Sequence, residues 1–132
     1  DLAYQDRDKL DARKRIAGAI FETELDVSHP LTYGFLSKNL PIFRNSNIIM
    51  KRPTKPFISI ANYTSQPLMS GYTDNNLEKT IAHNTPIIAH SYGKGRVIAS
   101  TDNLAFRGYW LDTAKIISNS LFFAKAFDTP VK

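Results

Sequence analysis

The sequence of 132 residues contains no cysteine. Disulfides, thiolate zinc sites and a cysteine nucleophile are therefore excluded within this chain. No apolar run approaches the roughly 18 residues that a membrane-spanning helix needs, so we expect no membrane span. The chain begins at Asp1 with a charged, polar segment instead of a methionine or a signal peptide, and we expect it to be an excised piece of a longer protein.

Clustered basic charge is also scarce. The formal net charge is +5, from 17 Lys and Arg against 12 Asp and Glu. The densest basic groups lie at 13–15 and 51–55, and neither forms a stripe interleaved with aromatic residues. We therefore predict that nucleic acid is not a partner.

What the sequence does contain is ordinary globular composition, with 42% apolar residues. Residues 1–15 are predicted to be a charged N-terminal helix or linker, and residues 16–132 a single domain. Strands are predicted at 16–25, in a hairpin over 40–53 that turns at Asn45 to Asn47, at 56–64, and on both sides of Gly93 to Gly95. The strongest helical periodicity spans 107–127. Strands outnumber helices, which favours an α/β or α+β fold with a mixed sheet, a β-hairpin and a long C-terminal helix.

The chain lacks the sequence motifs of phosphate-binding loops, metal sites and serine nucleophiles. Gly93-Lys94-Gly95 lies between two predicted strands and is followed by Arg96, whereas a phosphate-binding loop ends in Ser or Thr and opens a helix. The three histidines, His29, His83 and His90, have no metal-ligand spacing. There is no G-x-S-x-G nucleophile elbow. We therefore predict no catalytic residue and no metal site in this chain.

One candidate ligand site lies where the last predicted strand meets the last helix. Ligands gather at strand ends in α/β sheets, and this place holds Asp102, Asn103, Arg107 and Trp110, with Tyr109 as a further flat surface. The same residues can instead have purely structural roles. Asp102 or Asn103 would accept from backbone N–H groups, Arg107 would pair with a carboxylate, and Trp110 would anchor the helix in the core.

Three ordered segments resemble one protein family. They are GKGRVIASTDNLAFRGYWLDTAKIISNSLFF at 93–123, IAGAIFETELDVSHPLTYGF at 16–35 and LPIFRNSN at 40–47. Together they resemble the C-terminal region of a bacterial group of zinc carboxypeptidases (carboxypeptidase A-like). In that group the catalytic domain is followed by a domain similar to class I glutamine amidotransferases. The resemblance covers residues from about Arg15 to Phe127.

The resemblance implies a flavodoxin-like (glutamine amidotransferase-like) sheet, complete or in a truncated version. Amidotransferases use a cysteine nucleophile and the peptidases a His-x-x-Glu zinc motif, and this chain has neither. The implied function is a non-catalytic accessory domain, structural or substrate-positioning, in an exported (periplasmic or extracellular) protein. Its partner would be the parent's N-terminal peptidase domain, which alone would hold zinc. The alternatives are a carbohydrate- or peptide-binding module using Asp102 to Trp110, and a stand-alone enzyme with a site that the motifs do not reveal.

Overall fold

The computed structural model describes residues 3–108 and 110–127. Helical segments lie at Tyr4–Asp6 (a 3₁₀ turn), Arg7–Arg13 (α1), Pro30–Thr32 (3₁₀), Asn75–Ile81 (α2), Phe106–Gly108 (3₁₀) and Leu111–Phe123 (α3). The strands are β1 (Ala19–Leu25), β2 (Asn39–Arg44), β3 (Ser59–Gly71), β4 (Ile87–Tyr92) and β5 (Gly95–Ser100). The predicted combination of α and β structure, with a β4–β5 hairpin and a C-terminal helix, is confirmed.

The five strands form one sheet in the order β2-β1-β3-β4-β5, and each neighbouring pair is antiparallel. The expected mixed sheet is therefore wrong for the described strands. A parallel pair needs a crossover of about a dozen residues or more. β4 ends at Tyr92 and β5 begins at Gly95, so the short turn between them permits only an antiparallel pair.

The predicted hairpin over 40–53 forms only its first strand. After β2 the chain runs as a loop, and a single bridge joins Met50 to Thr85. Side chains hold this loop in place of a second strand: Asn47 Oδ1 accepts from the backbone N–H of Ile16 at 2.9 Å, and Arg44 Nη2 donates to the carbonyl of Ile48. Asn45 to Asn47 are thus a loop entrance and not the turn of a hairpin.

The core has two parts, which share the buried face of β1. The larger contains residues of all the inner strands together with Ile116 of α3 and Leu31 of the β1–β2 connection. The smaller is built around Phe21 and Tyr63, with Ile81 of α2. Asn119 fastens α3 to the β1–β2 connection, because its Nδ2 donates to the carbonyls of Leu31 at 2.8 Å and Tyr33 at 2.9 Å.

The sheet is curled so that its two edge strands approach each other at one end. The backbone N–H of Asn103, just beyond β5, donates to the carbonyl of Phe43 in β2 at 3.2 Å. Antiparallel sheets twist, and bulges increase the twist locally. The β1–β3 ladder shifts register on both sides of Phe21, where such a bulge bends it. The curl brings the end of β2 against the turn that follows β5.

Candidate functional site

The four residues of the predicted strand-end site do not converge. The Asp102 side chain is fully buried, whereas Asn103 and Arg107 are exposed and Trp110 is half-buried. Asn103 Oδ1 accepts from the backbone N–H of Ala105 at 3.3 Å, which shapes the turn. Trp110 caps α3 through its carbonyl, which accepts from the N–H of Ala114 at 3.2 Å. Tyr109 lies outside the described residues.

Arg107 has a different surrounding from the one its structural interpretation predicted. Its guanidinium lies 5.3 Å from the centre of the Phe106 ring, and no carboxylate pairs with it within 3–108 and 110–127. Its backbone has φ = 50°, a left-handed conformation that an arginine adopts at a cost of about 1–2 kcal/mol. Ligand binding by Asn103, Arg107 and Trp110 remains a prediction, but Asp102 faces away from them.

Asp102 instead belongs to a buried triad with Arg44 and Tyr63. Arg44 Nη1 lies 2.5 Å from Asp102 Oδ1, and the Tyr63 hydroxyl donates to Asp102 Oδ2 at 2.5 Å. Arg44 Nη1 also donates to the Tyr63 hydroxyl oxygen at 3.0 Å. The triad joins β2, β3 and the turn after β5, so it holds the curled sheet closed from inside.

Burial and the neighbouring charged groups both shift the pKa values of this triad. Burial raises the pKa of Asp102, while the adjacent Arg44 guanidinium and the Tyr63 hydroxyl lower it. Burial and the Asp102 carboxylate both raise the pKa of Tyr63 above its ordinary value, so Tyr63 remains protonated. The ion-pair geometry requires a charged carboxylate. Since neither Arg44 nor Asp102 is exposed, the triad is a structural element and not a site that a substrate reaches.

Sequence reasoning missed Arg44 and Tyr63, although one signal was present. Leu40, Ile42 and Arg44 alternate along β2, and all three are buried. An arginine in register with core residues is almost never buried without a carboxylate partner. The register thus indicated a buried acid, but not which one.

A groove of about 820 Å³ lies elsewhere, where β1 ends and β3 begins. One part of its lining is the end of β1, with Glu24 and Asp26, and another is the loop 52–57, with Arg52 and Lys55. Polar side chains and a turn residue complete the lining: Ser59, Asn62, Thr64, Ser65 and His83. The groove therefore brings together charges of both signs, which the sequence separates into distant segments.

Backbone strain is concentrated at this groove. In the described part of the chain, three residues other than glycine have positive φ, and two of them, Phe57 at 62° and His83 at 63°, line the groove. Each such residue costs on the order of 1–3 kcal/mol and persists only where the surrounding structure imposes it. The His83 backbone N–H donates to the carbonyl of Tyr63 at 3.2 Å, which fixes one of them.

A smaller pocket of about 220 Å³ adjoins the groove and shares Asp26 and Phe57 with it. His29 lines this pocket, and its ring centre lies 4.7 Å from that of Phe127. His29 Nδ1 accepts from the N–H of Leu31 at 3.1 Å, which places the proton of the neutral ring on Nε2. Nε2 is buried and has no hydrogen-bond partner among the described residues. Burial lowers the pKa of His29, and the nearby Asp26 carboxylate opposes that shift.

Neither a metal centre nor a membrane segment is found within the ranges that the structure describes. No group of three His, Asp or Glu side chains there could hold a metal ion. None of the helices in 3–108 and 110–127 combines the length and apolarity needed to cross a bilayer. Comparison of the chain with protein-family models, with curated proteins and with solved structures finds no match.

Proposed function

We propose that the chain is a non-catalytic accessory domain that packs against another domain, the zinc carboxypeptidase-like domain of the same parent protein. The observation that supports packing is the outward face of α3. Leu111, Leu121 and Phe122 are 82%, 80% and 82% exposed. On a helix with 100° per residue, they fall on one side, opposite the buried Ile116.

This outward face of α3 carries no charge between its large side chains. Ala114, Ile117 and Ser118 occupy the intervening positions. A surface helix ordinarily presents polar residues to water, so apolar residues on both sides of α3 indicate that a second surface covers it. Covering each leucine or phenylalanine is worth roughly 1.5–3 kcal/mol. The identity of the partner rests on the resemblance of residues 15–127, and so does the exported location.

The flavodoxin-like origin is part of the same proposal. The strand order β2-β1-β3-β4-β5 is numerically the 2-1-3-4-5 order of flavodoxin-like sheets. Those sheets are parallel, whereas this one is antiparallel. Truncation alone does not reverse the direction of strands, so the chain would be a rebuilt form of an amidotransferase-like domain, without its nucleophile.

The experiment measures binding of this chain to the peptidase-like domain of the parent, expressed separately. We expect the L121S/F122S variant to bind about tenfold or more weakly, because two apolar side chains leave the interface. The matched control is Tyr92→Ser, which changes an exposed aromatic residue in the β4–β5 hairpin. Equal binding of all three proteins would overturn the docking face. Peptidase or glutaminase turnover by the isolated chain, abolished by one substitution in it, would overturn the non-catalytic role.

A further inference from the structure

The groove described above is unusual in holding unpaired charges of both signs. No ion pair within the described residues involves Glu24, Asp26, Arg52 or Lys55. Asp26 Oδ1 accepts from the backbone N–H of Ser28 at 3.0 Å and from its hydroxyl at 2.5 Å, which orients the carboxylate. Charged groups that share a concave surface without pairing are free to bind a ligand of complementary charge. A ligand that carries a single sign would be attracted to one segment of the lining and repelled by the other. A zwitterion satisfies both.

The floor of the groove adds hydrogen-bonding groups. Ser59 Oγ donates to Asn62 Oδ1 at 2.7 Å, which orients the Asn62 amide and leaves its Nδ2 group as a donor. Ser65 also lines the groove, and it is exposed. Amide donors and accessible hydroxyls are the groups that recognise peptide carbonyl and N–H groups.

An apolar surface lies next to these polar groups. Phe57 is 59% exposed and separates the groove from the smaller pocket, which Pro30 and Phe127 also line. Its positive φ holds an aromatic side chain at this boundary against the usual backbone preference. An apolar side chain of a ligand would fit against Phe57.

We propose that this groove binds a short zwitterionic peptide. The carboxylate of the peptide contacts Arg52 and Lys55, its ammonium group contacts Glu24 and Asp26, and an apolar side chain packs on Phe57. The site is distinct from the docking face on α3, so it stands or falls independently of the accessory role.

The experiment is an NMR titration of the folded chain with the tripeptide Ala-Leu-Ala at up to about 10 mM, a range that detects millimolar affinity. We expect shifts of the backbone amides of Asn62, Thr64 and His83. The same peptide with an acetylated N-terminus and an amidated C-terminus is expected to bind about a hundredfold more weakly, because it loses the charge-assisted contact at each end and each is worth about one order of magnitude in affinity.

Variants assign the two ends. R52A/K55A is expected to weaken binding of the zwitterionic peptide about tenfold. The C-amidated peptide should bind as well or more tightly, since it has no carboxylate to lose and its ammonium charge is no longer repelled by two cations. The control is Lys94→Ala, an exposed cation in the β4–β5 turn, which should leave both affinities unchanged. Circular dichroism of each variant establishes that it is folded.

Three results would overturn the proposal. They are an absence of shifts with the zwitterionic peptide, equal affinity for the free and the capped peptides, and an R52A/K55A variant that binds the zwitterionic peptide as tightly as the unsubstituted chain does. Chitobiose serves as a neutral glycan probe in parallel. Shifts at the same amides with chitobiose alone would identify a carbohydrate site and reject the peptide.

Discussion

Arg44 and Asp102 belong to opposite ends of the strand order, yet Nη1 of the one lies 2.5 Å from Oδ1 of the other and neither side chain is exposed. Removing one partner leaves a buried, uncompensated charge. We expect Asp102→Asn to lower the free energy of unfolding by about 3–5 kcal/mol, measured by urea denaturation. Lys9→Ala is the matched control, because the Lys9–Asp6 pair is exposed and should contribute at most about 1 kcal/mol.

The same pair permits a sharper test. Replacing both partners, in R44M/D102L, removes the buried charges together and should recover a large part of the stability that Asp102→Asn loses. Additive losses in the double variant would contradict a direct coupling between the two side chains.

Gly71 is the position where a side chain is least tolerated. It has φ = 96°, and a Cβ there would lie 2.8 Å from the Ala19 Cα and 2.9 Å from the Gly18 carbonyl oxygen. Both are backbone atoms that cannot rotate away. We expect Gly71→Ala to lower the thermal midpoint more than Gly93→Ala, which has φ = 56° and open space around it. The control should cost about 1 kcal/mol from backbone strain alone. Equal decreases of the thermal midpoint in the two variants would show that β1 and β3 can move apart at this point to accommodate the added methyl group.

His29 should make the stability depend on pH. Burial lowers its pKa below the ordinary 6.5, so below that pH the unfolded chain binds a proton that the folded chain resists. The stabilisation is complete above pH 6.5 and is lost as the pH falls toward the lower pKa of the folded state. His29→Asn keeps an acceptor for the Leu31 N–H and removes the titration. Between neutral and mildly acidic pH, the free energy of unfolding should therefore decrease less in the variant than in the unsubstituted chain. A variant with the same decrease would place the titration elsewhere.

Replacing Arg107 distinguishes a ligand-binding role of this residue from a structural one. Its left-handed backbone costs about 1–2 kcal/mol, and its contact with the half-buried Phe106 ring returns about 0.5 kcal/mol. Arg107→Gly should therefore raise the unfolding free energy by about 0.5–1.5 kcal/mol. A stabilised variant that loses binding to a ligand would support the predicted strand-end site, and a destabilised one would contradict the strain.

Local patterns predicted the elements that local contacts determine. The glycines at 93–95 predicted a hairpin, and its two-residue turn begins at Gly93 with φ = 56°. Periodicity predicted a helix over 107–127, and α3 forms the part of it from Leu111 to Phe123. Contacts between distant segments were not predictable in the same way. Asp102 has the same sequence surroundings whether it binds a ligand or Arg44, and only the curl of the sheet decides between them. The groove depends on the loop 52–57, where the residues predicted the end of one strand at 53 and the start of another at 56.

The curl of the sheet also has a kinetic consequence. The Arg44–Asp102 contact closes a loop of 58 residues, and closing such a loop costs about 4 kcal/mol of chain entropy. We expect this contact to form after the local hairpin and helices, on the native side of the folding barrier, because it needs the curl of the whole sheet. Asp102→Asn would then accelerate unfolding far more than it slows folding. The buried triad thus sets how long the folded chain persists, and has little influence on how quickly it forms.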